Sequence, residues 1–557
     1  MLHGSGVGRG AAIGPVVRVA PAPVAPEREE APADPAEAAE RTVAAFDAVA
    51  AGLRRQAETS EGPAVAVLQA TAQMAQDRAL RKQTVARIEG GEPPVAALDA
   101  VVGGFVDMFT KAGGMLAERV TDLRSVRDRV AAELLGVPAP GVPELTGPSV
   151  IVAEDLAPAD TAALDLRHVV AIVTELGGTT SHTAIIAAQR AIPCVVGVAG
   201  ALDLAEGTVV AVDAAAGTVE VDPSEDVAHG FAERDRVART LAEDTSPGRT
   251  ADGVPVALLA NIGTAADAAR AGAGSAVEGV GLFRTEVLFL DRATAPTREE
   301  QAEVYAEVLR SFAGRKVVVR TLDAGADKPL AFATQPDEEN PALGVRGYRL
   351  VRTVPELLDT QLAALADAQA ATGEHPWVMA PMVSTPVEAR DFAAAARRHG
   401  LTTVGVMVEV PAAALRAEAI LAEVDFVSMG TNDLAQYVMA TDRLRGELSD
   451  LLDRWQPAVL DLVAATARAG AAAGKPAGVC GESAADPVMA VVLAGLGVTS
   501  LSMSAGAVPL VRYALAQHTA AQAADVALAA LAASSAPEAY AAACRALRPE
   551  VATVLGL

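Results

Sequence analysis

From Val256 onward the chain carries eight apolar runs of strand length, separated mostly by stretches long enough for a helix. They are VALLANI from Val256, GVGLFR from Gly279, KVVVRTLD from Lys316, WVMAPMV from Trp377, VGVMVEV from Val404, FVSMG from Phe426, AGVC from Ala477 and SLSMS from Ser500. Strands alternating with helices in this number predict a closed (β/α)8 barrel over residues 251–557. In such a barrel the chemistry gathers where strands give way to the following loops, so a polar residue at a strand's C-terminal end is informative. Arg284 closes the second run, and Arg320 and Asp323 close the third. Glu409 closes the fifth, Asn432 and Asp433 follow the sixth, and Cys480 closes the seventh. Carboxylates, an amide and arginines converging on one mouth suit an anionic ligand held through a divalent cation such as Mg²⁺. Guanidinium forks grip phosphate or carboxylate, and a phosphorylated carboxylic acid is the simplest such ligand.

The first half is organised differently. Residues 10–20 alternate like a strand, and Pro21 to Pro35 reads as a Pro/Ala/Glu linker. From about Asp34 to Gly136 apolar residues recur at three and four, which predicts several helices and no strand. From Ser149 the runs SVIVAEDL, HVVAIVTEL, CVVGVAG and TVVAVDAAAGTVEVD predict a small α/β unit, joined by the N-terminal strand and interrupted by the helical block. A charged helix then leads to Pro247. Within the α/β unit, ELGGTTSHTAII places two glycines at the end of a strand and His182 at the opening of a helix. Unpaired N–H groups and the helix dipole there disfavour imidazolium and favour an anion, so His182 is a candidate neutral nucleophile whose phosphorylated form is stabilised.

Length and composition agree with several globular domains in the 557 residues. A net charge of −25 argues against nucleic acid or an anionic membrane as the main partner and leaves room for a basic protein. Cys194, Cys480 and Cys544 are too scattered for a disulfide framework or a structural zinc site. With no membrane-length apolar run and no secretory leader pattern, a cytoplasmic location is expected.

These motifs resemble the phosphoenolpyruvate-utilising enzymes, and enzyme I of the sugar phosphotransferase system in particular. GGTTSHTAII is similar to the family's phosphohistidine motif, and DFVSMGTNDLAQYVMATDR, from Asp425 to Arg443, to its second signature. VEGVGLFRTEVLFLDR, VVVRTLDAGADKPL, NPALGVRGYRL, VGVMVEVPAAAL and GVCGESAADP resemble further enzyme I segments, so the likeness covers almost the whole chain. It implies a phosphohistidine α/β domain over 1–22 plus 144–222, a helical subdomain over 34–138 that docks the carrier protein HPr, a linker helix over 223–250, and a barrel over 251–557 that binds phosphoenolpyruvate and forms a homodimer. His182 would take the phosphoryl group, with release of pyruvate, and pass it to HPr. Arg284, Arg320, Arg443 and Asn432 would bind the substrate, Glu409 and Asp433 would hold Mg²⁺, with Asp433 also touching the substrate, and Cys480 would protonate the enolpyruvate carbon. Because donor, nucleophile and acceptor sit on separate domains, the histidine domain is expected to swing.

The likeness has two gaps. Ala188 stands where enzyme I sequences commonly carry an arginine, with Arg190 the nearest one, and Thr179 replaces a common arginine or proline. A pyruvate phosphate dikinase shares both signatures but needs a nucleotide-binding domain, and the region before Ser149 has neither a run of strands nor a Gly-rich phosphate loop. A non-catalytic scaffold is opposed by the filled metal, substrate and proton-donor positions.

Overall fold

The computed structural model describes all residues except 8–9, 20–22, 24–28, 60–62, 113–118, 138–139, 144, 157–163, 165–166, 179–182, 185, 188–191, 275, 291, 325–329, 331, 334–337 and 443–445. The chain divides into two compact units, Met1–Asp235 and Arg236–Leu557.

The first unit holds an eight-stranded sheet, in the order β1-β8-β7-β3-β4-β5-β6-β2. Its strands are β1 (Leu2–His3), β2 (Ser5–Val7), β3 (Ala11–Arg18), β4 (Ser149–Ala153), β5 (Val169–Thr174), β6 (Cys194–Val196), β7 (Val209–Asp213) and β8 (Thr218–Val221). The predicted N-terminal strand is β3, and it ties the sheet together by pairing antiparallel with β7 and parallel with β4. Every residue of β4 is buried, as its unbroken SVIVA run requires. The short strands β1 and β2 escape sequence reading because two and three residues show no period. They seat closely: a Cβ on Gly6 would come 1.8 Å from the Ala214 carbonyl oxygen.

Between β3 and β4 lie helices over Pro35–Thr59, Pro63–Met74, Arg78–Glu89, Pro94–Ala112 and Val120–Leu135. Phe46, Leu80, Leu98, Val126 and Val130 form their shared core. The long apolar pattern from Ala64 to Ile88 is broken by Asp77, whose carboxylate accepts the Leu80 N–H at 2.8 Å and starts a new helix. Glu29 accepts from Val95 and Ala96 N–H at 3.0 and 2.9 Å and so closes the start of Pro94–Ala112.

The second unit is a closed parallel barrel of β9 (Ala257–Ile262), β10 (Gly279–Arg284), β11 (Lys316–Arg320), β12 (Trp377–Ala380), β13 (Thr403–Val408), β14 (Phe426–Met429), β15 (Ala477–Val479) and β16 (Ser500–Met503), with β16 pairing β9 to complete the ring. Each of the eight predicted runs is one strand. Helices at Ala265–Ala273, Arg298–Ser311, Pro386–Arg398 and Ala520–Leu531 each begin at a threonine whose hydroxyl and the acidic or amide side chain three residues on form reciprocal caps. Leu282, Val318, Met379, Met407 and Phe426 fill part of the barrel interior. Among the described residues no helix is long and apolar enough to cross a membrane.

Candidate active site at the barrel mouth

The strand-end residues come together as the periodicity requires. Arg284 and Arg320 are the last residues of β10 and β11, Glu409 and Cys480 follow β13 and β15 directly, and Asn432 and Asp433 open the helix Thr431–Val438 after β14. Two glycines allow these loops to close in. A Cβ on Gly430 would lie 2.7 Å from Glu409 Oε1, and one on Gly481 would lie 2.0 Å from Thr431 Oγ1.

The buried charges form one network. Arg320, 6% exposed, pairs with Glu286, with Asp323 at 3.1 Å and more distantly with Glu409 at 3.9 Å. Arg346, 2% exposed, grips Asp323 at 3.0 Å and Asp433 at 3.1 Å and reaches the Tyr437 hydroxyl at 3.4 Å. Burial opposes the Arg346 charge, but Asp323 and Asp433 more than offset it and hold the guanidinium ionised. Among the described residues the four acids Glu286, Asp323, Glu409 and Asp433 thus face the three guanidiniums of Arg284, Arg320 and Arg346.

Glu409 feels the neighbouring carboxylates. Burial first, then the charges of Asp433 and Asp323, push its carboxyl up to about 8, against the pull of Arg320. Its Oε2 accepts the Met382 N–H at 2.9 Å, and Met382 is held at φ 58°, a left-handed conformation that a side-chain-bearing residue rarely adopts. Arg284 is reached by solvent in the concave mouth yet ringed by protein, so lost hydration and the Arg320 charge both lower its value.

Cys480 is 2% exposed, its N–H donates to the Met429 carbonyl at 3.1 Å and its thiol donates to the same oxygen at 3.7 Å. Burial pushes the thiol up to about 11, so it keeps its proton at neutral pH. Asn432 accepts the Glu482 N–H at 3.1 Å through Oδ1. Arg443 lies outside the described residues, and so do His182, Thr179, Ala188 and Arg190. Around the histidine, Gly177 has φ 93°, as the expected tight turn demands, and the buried Thr183 donates to Asp155 Oδ1 at 3.1 Å.

The deciding observation is how far the likeness to known proteins runs. Models of the PEP-utilising enzymes match the N-terminal region at residues 3–119, the mobile domain at 145–217 and the PEP-binding domain at 237–520, the last spanning the whole barrel mouth. A phosphoenolpyruvate-protein phosphotransferase of Streptomyces coelicolor is 51% identical over 97% of this chain and 98% of its own length. The chain belongs to the phosphoenolpyruvate-protein phosphotransferase family. A second relative of the same name, from Haloferax volcanii, is 42% identical over 87% of each chain.

Sequence reasoning missed two members of this family's barrel network. Arg346 sits in the NPALGVRGYRL stretch between β11 and β12, not at a strand end, so a rule based on strand ends passes over it. Glu286 lies two residues beyond β10 and reads as part of an apolar segment. Asp323, noted only as a strand-end residue, proves to be the shared partner of both buried arginines.

Proposed function

We propose that the chain takes the phosphoryl group of phosphoenolpyruvate onto His182, releases pyruvate, and passes the group to a histidine of HPr as the first step of sugar uptake. The observation that carries this reading is the barrel mouth, where arginines and carboxylates surround a protonated buried thiol. Phosphoryl transfer needs positioning and charge neutralisation more than covalent chemistry from the protein. Arg284 and Arg443 bind the phosphate and carboxylate, with the Asn432 amide. Arg320 is already paired, yet its Nε is buried without an acceptor among the described residues, which leaves a donor for a substrate oxygen. Cys480, with its proton retained, protonates the enolate carbon.

The raised Glu409 carboxyl, set against Asp433 and Asp323, fits a divalent cation, because a nearby positive charge offsets the repulsion that helps raise it. Among the described residues no cluster of three or more candidate ligands forms a cage, in keeping with Mg²⁺, which is commonly held by one or two carboxylates and substrate oxygens. Glu409 and Asp433 would hold it, Asp433 also facing the substrate, and the ion would neutralise charge on the phosphoryl and enolate oxygens. The domain assignment stands with this reading: 1–22 plus 144–222 carries His182, 34–138 docks HPr, 223–250 links, and 251–557 binds substrate and dimerises in the cytoplasm.

The test is incubation with Mg²⁺ and phosphoenolpyruvate labelled on phosphorus, with and without HPr, beside His182→Ala. Acid-labile, base-stable label on the native chain alone, chased to HPr with pyruvate release, is the expected result. An unlabelled native chain would mean that Thr179 and Ala188 have disabled the histidine, and the transfer reading would fall.

A further inference from the structure

The strand ends that carry Arg284 and Arg320 are tied down from behind by a chain of buried polar side chains. Gln361, 1% exposed, lies on the helix Pro355–Thr372, which packs against Arg298–Ser311. Its Oε1 accepts the Leu322 N–H at 2.9 Å. Its Nε2 donates to Thr285 Oγ1 at 3.2 Å and to the Tyr305 hydroxyl at 2.9 Å. The Thr285 hydroxyl in turn donates to the Arg320 carbonyl at 2.9 Å. Tyr305 donates to Gln301 Oε1 at 3.1 Å, and Gln301 Nε2 to the Pro296 carbonyl at 3.0 Å. Thr285, Gln301 and Tyr305 are themselves no more than 2% exposed.

The two segments held by Gln361 carry the charges of the mouth. Thr285 stands between Arg284 and Glu286, and Leu322 lies two residues beyond Arg320 and directly before Asp323. Arg284 and Arg320 are register partners on neighbouring strands, so the spacing of their guanidiniums depends on how these segments leave β10 and β11. The acids cannot set that spacing alone. Glu286 and Asp323 grip Arg320, but they belong to the same two segments and move with them. Gln361 supplies a fixed reference from a packed helix.

The chemistry of each bond allows one arrangement. A backbone N–H only donates, so the amide oxygen must face Leu322 and the amide nitrogen must face Thr285 and Tyr305. Each hydroxyl directs its one hydrogen elsewhere, to the Arg320 carbonyl or to Gln301, and accepts from the amide. An apolar side chain of similar length would fill the space without the cost of desolvating an amide, but it could hold neither segment. A carboxylate could accept from Leu322 yet has no hydrogen to give to Thr285.

We propose that Gln361 is a positioning residue for substrate binding: by holding Thr285 and the Leu322 N–H it sets the spacing of Arg284 and Arg320, between which the substrate anion is gripped. This rests on the reading of those arginines as phosphoenolpyruvate ligands.

The experiment is steady-state pyruvate release at varied phosphoenolpyruvate and at varied HPr, with urea unfolding beside it. Thr285→Val keeps the side chain's shape and removes the hydroxyl. It is expected to lower kcat/KM for phosphoenolpyruvate about 10-fold, because a small misplacement of a binding group is costly. The kcat/KM for HPr is expected to stay at the parent value, since transfer from His182 to HPr does not use the barrel mouth. A purely structural role would lower the unfolding midpoint and leave both constants of the folded protein alone. Thr285→Ser restores the hydroxyl and is expected to match the parent. Gln361→Met is expected to lose at least as much as Thr285→Val, and the double variant no more than Gln361→Met, as for residues that act as one unit. Parent-like kcat/KM for phosphoenolpyruvate in folded Thr285→Val, an equal fall for HPr, no recovery with serine, or losses that multiply in the double variant would overturn the clamp. If Gln361→Met does not fold, the contrast of valine with serine at Thr285 decides. A parent that releases no pyruvate would bring down the reading of the mouth and the clamp with it. An active parent beside unaffected variants would remove the clamp alone.

Discussion

The two ends of the same eight strands treat charge in opposite ways. At the C-terminal mouth, Arg320 and Arg346 are buried against Glu286, Asp323 and Asp433, so each guanidinium is paired, and these acids hold that of Arg346 ionised. At the N-terminal end, half-buried Lys316 lies over Trp377 and Phe426 with no carboxylate partner among the described residues, and burial loosens its proton. The difference is one of counterions rather than of depth. A paired buried charge is fixed in place, and an unpaired one becomes labile.

The sharpest way to break that contrast is Arg346→Met. It strands Asp323 and Asp433 in the interior, and loss of one partner from a buried network costs about 3–5 kcal/mol. Urea unfolding of the barrel should show that loss together with a collapse of pyruvate formation. Lys316→Met makes the matching change at the other end, and there only a cation–π contact of about 1 kcal/mol is exchanged for apolar burial. Equal destabilisation by the two changes would refute the comparison.

Next in size is Cys480→Ser, which keeps the shape of the side chain but replaces the thiol donor. A fall of about 10²–10⁴-fold in pyruvate release is expected, with phosphoenolpyruvate affinity nearly unchanged. A parallel rise in KM would point to packing instead.

A pH-dependent effect concerns Glu409. A carboxyl raised in the fold keeps a proton that the unfolded chain has already lost. Its stabilising contribution is therefore whole below the ordinary carboxylate range and is lost as pH rises through about 8. In metal-free protein Glu409→Gln should be the more stable form, by about 1–3 kcal/mol once the pH exceeds that value, with no advantage in acid. Added Mg²⁺ should raise the melting temperature of the parent and not of the variant. An advantage that persists in acid would mean that the repulsion from Asp433 and Asp323 is not its source.

Much of this was open to reading in the chain itself. All eight barrel strands, the helical block, and the strand-end placement of Arg284, Arg320, Glu409 and Cys480 follow from runs of a few residues, because burial imposes a local period. The short strands β1 and β2 carry no period and went unread. Arg346 went unread for a different reason, since it takes its meaning from Asp323 and Asp433, which lie far from it in sequence.

The same division separates what the sequence by itself determined from what only the tertiary structure decided. Residue type and spacing determined which side chains would stand at the mouth. Closure of the barrel decided which of them are compensated, why Glu409 holds a proton and why Lys316 gives one up easily. Burial and the distance to other charges set those properties, and both exist only once strands distant in the chain are brought side by side.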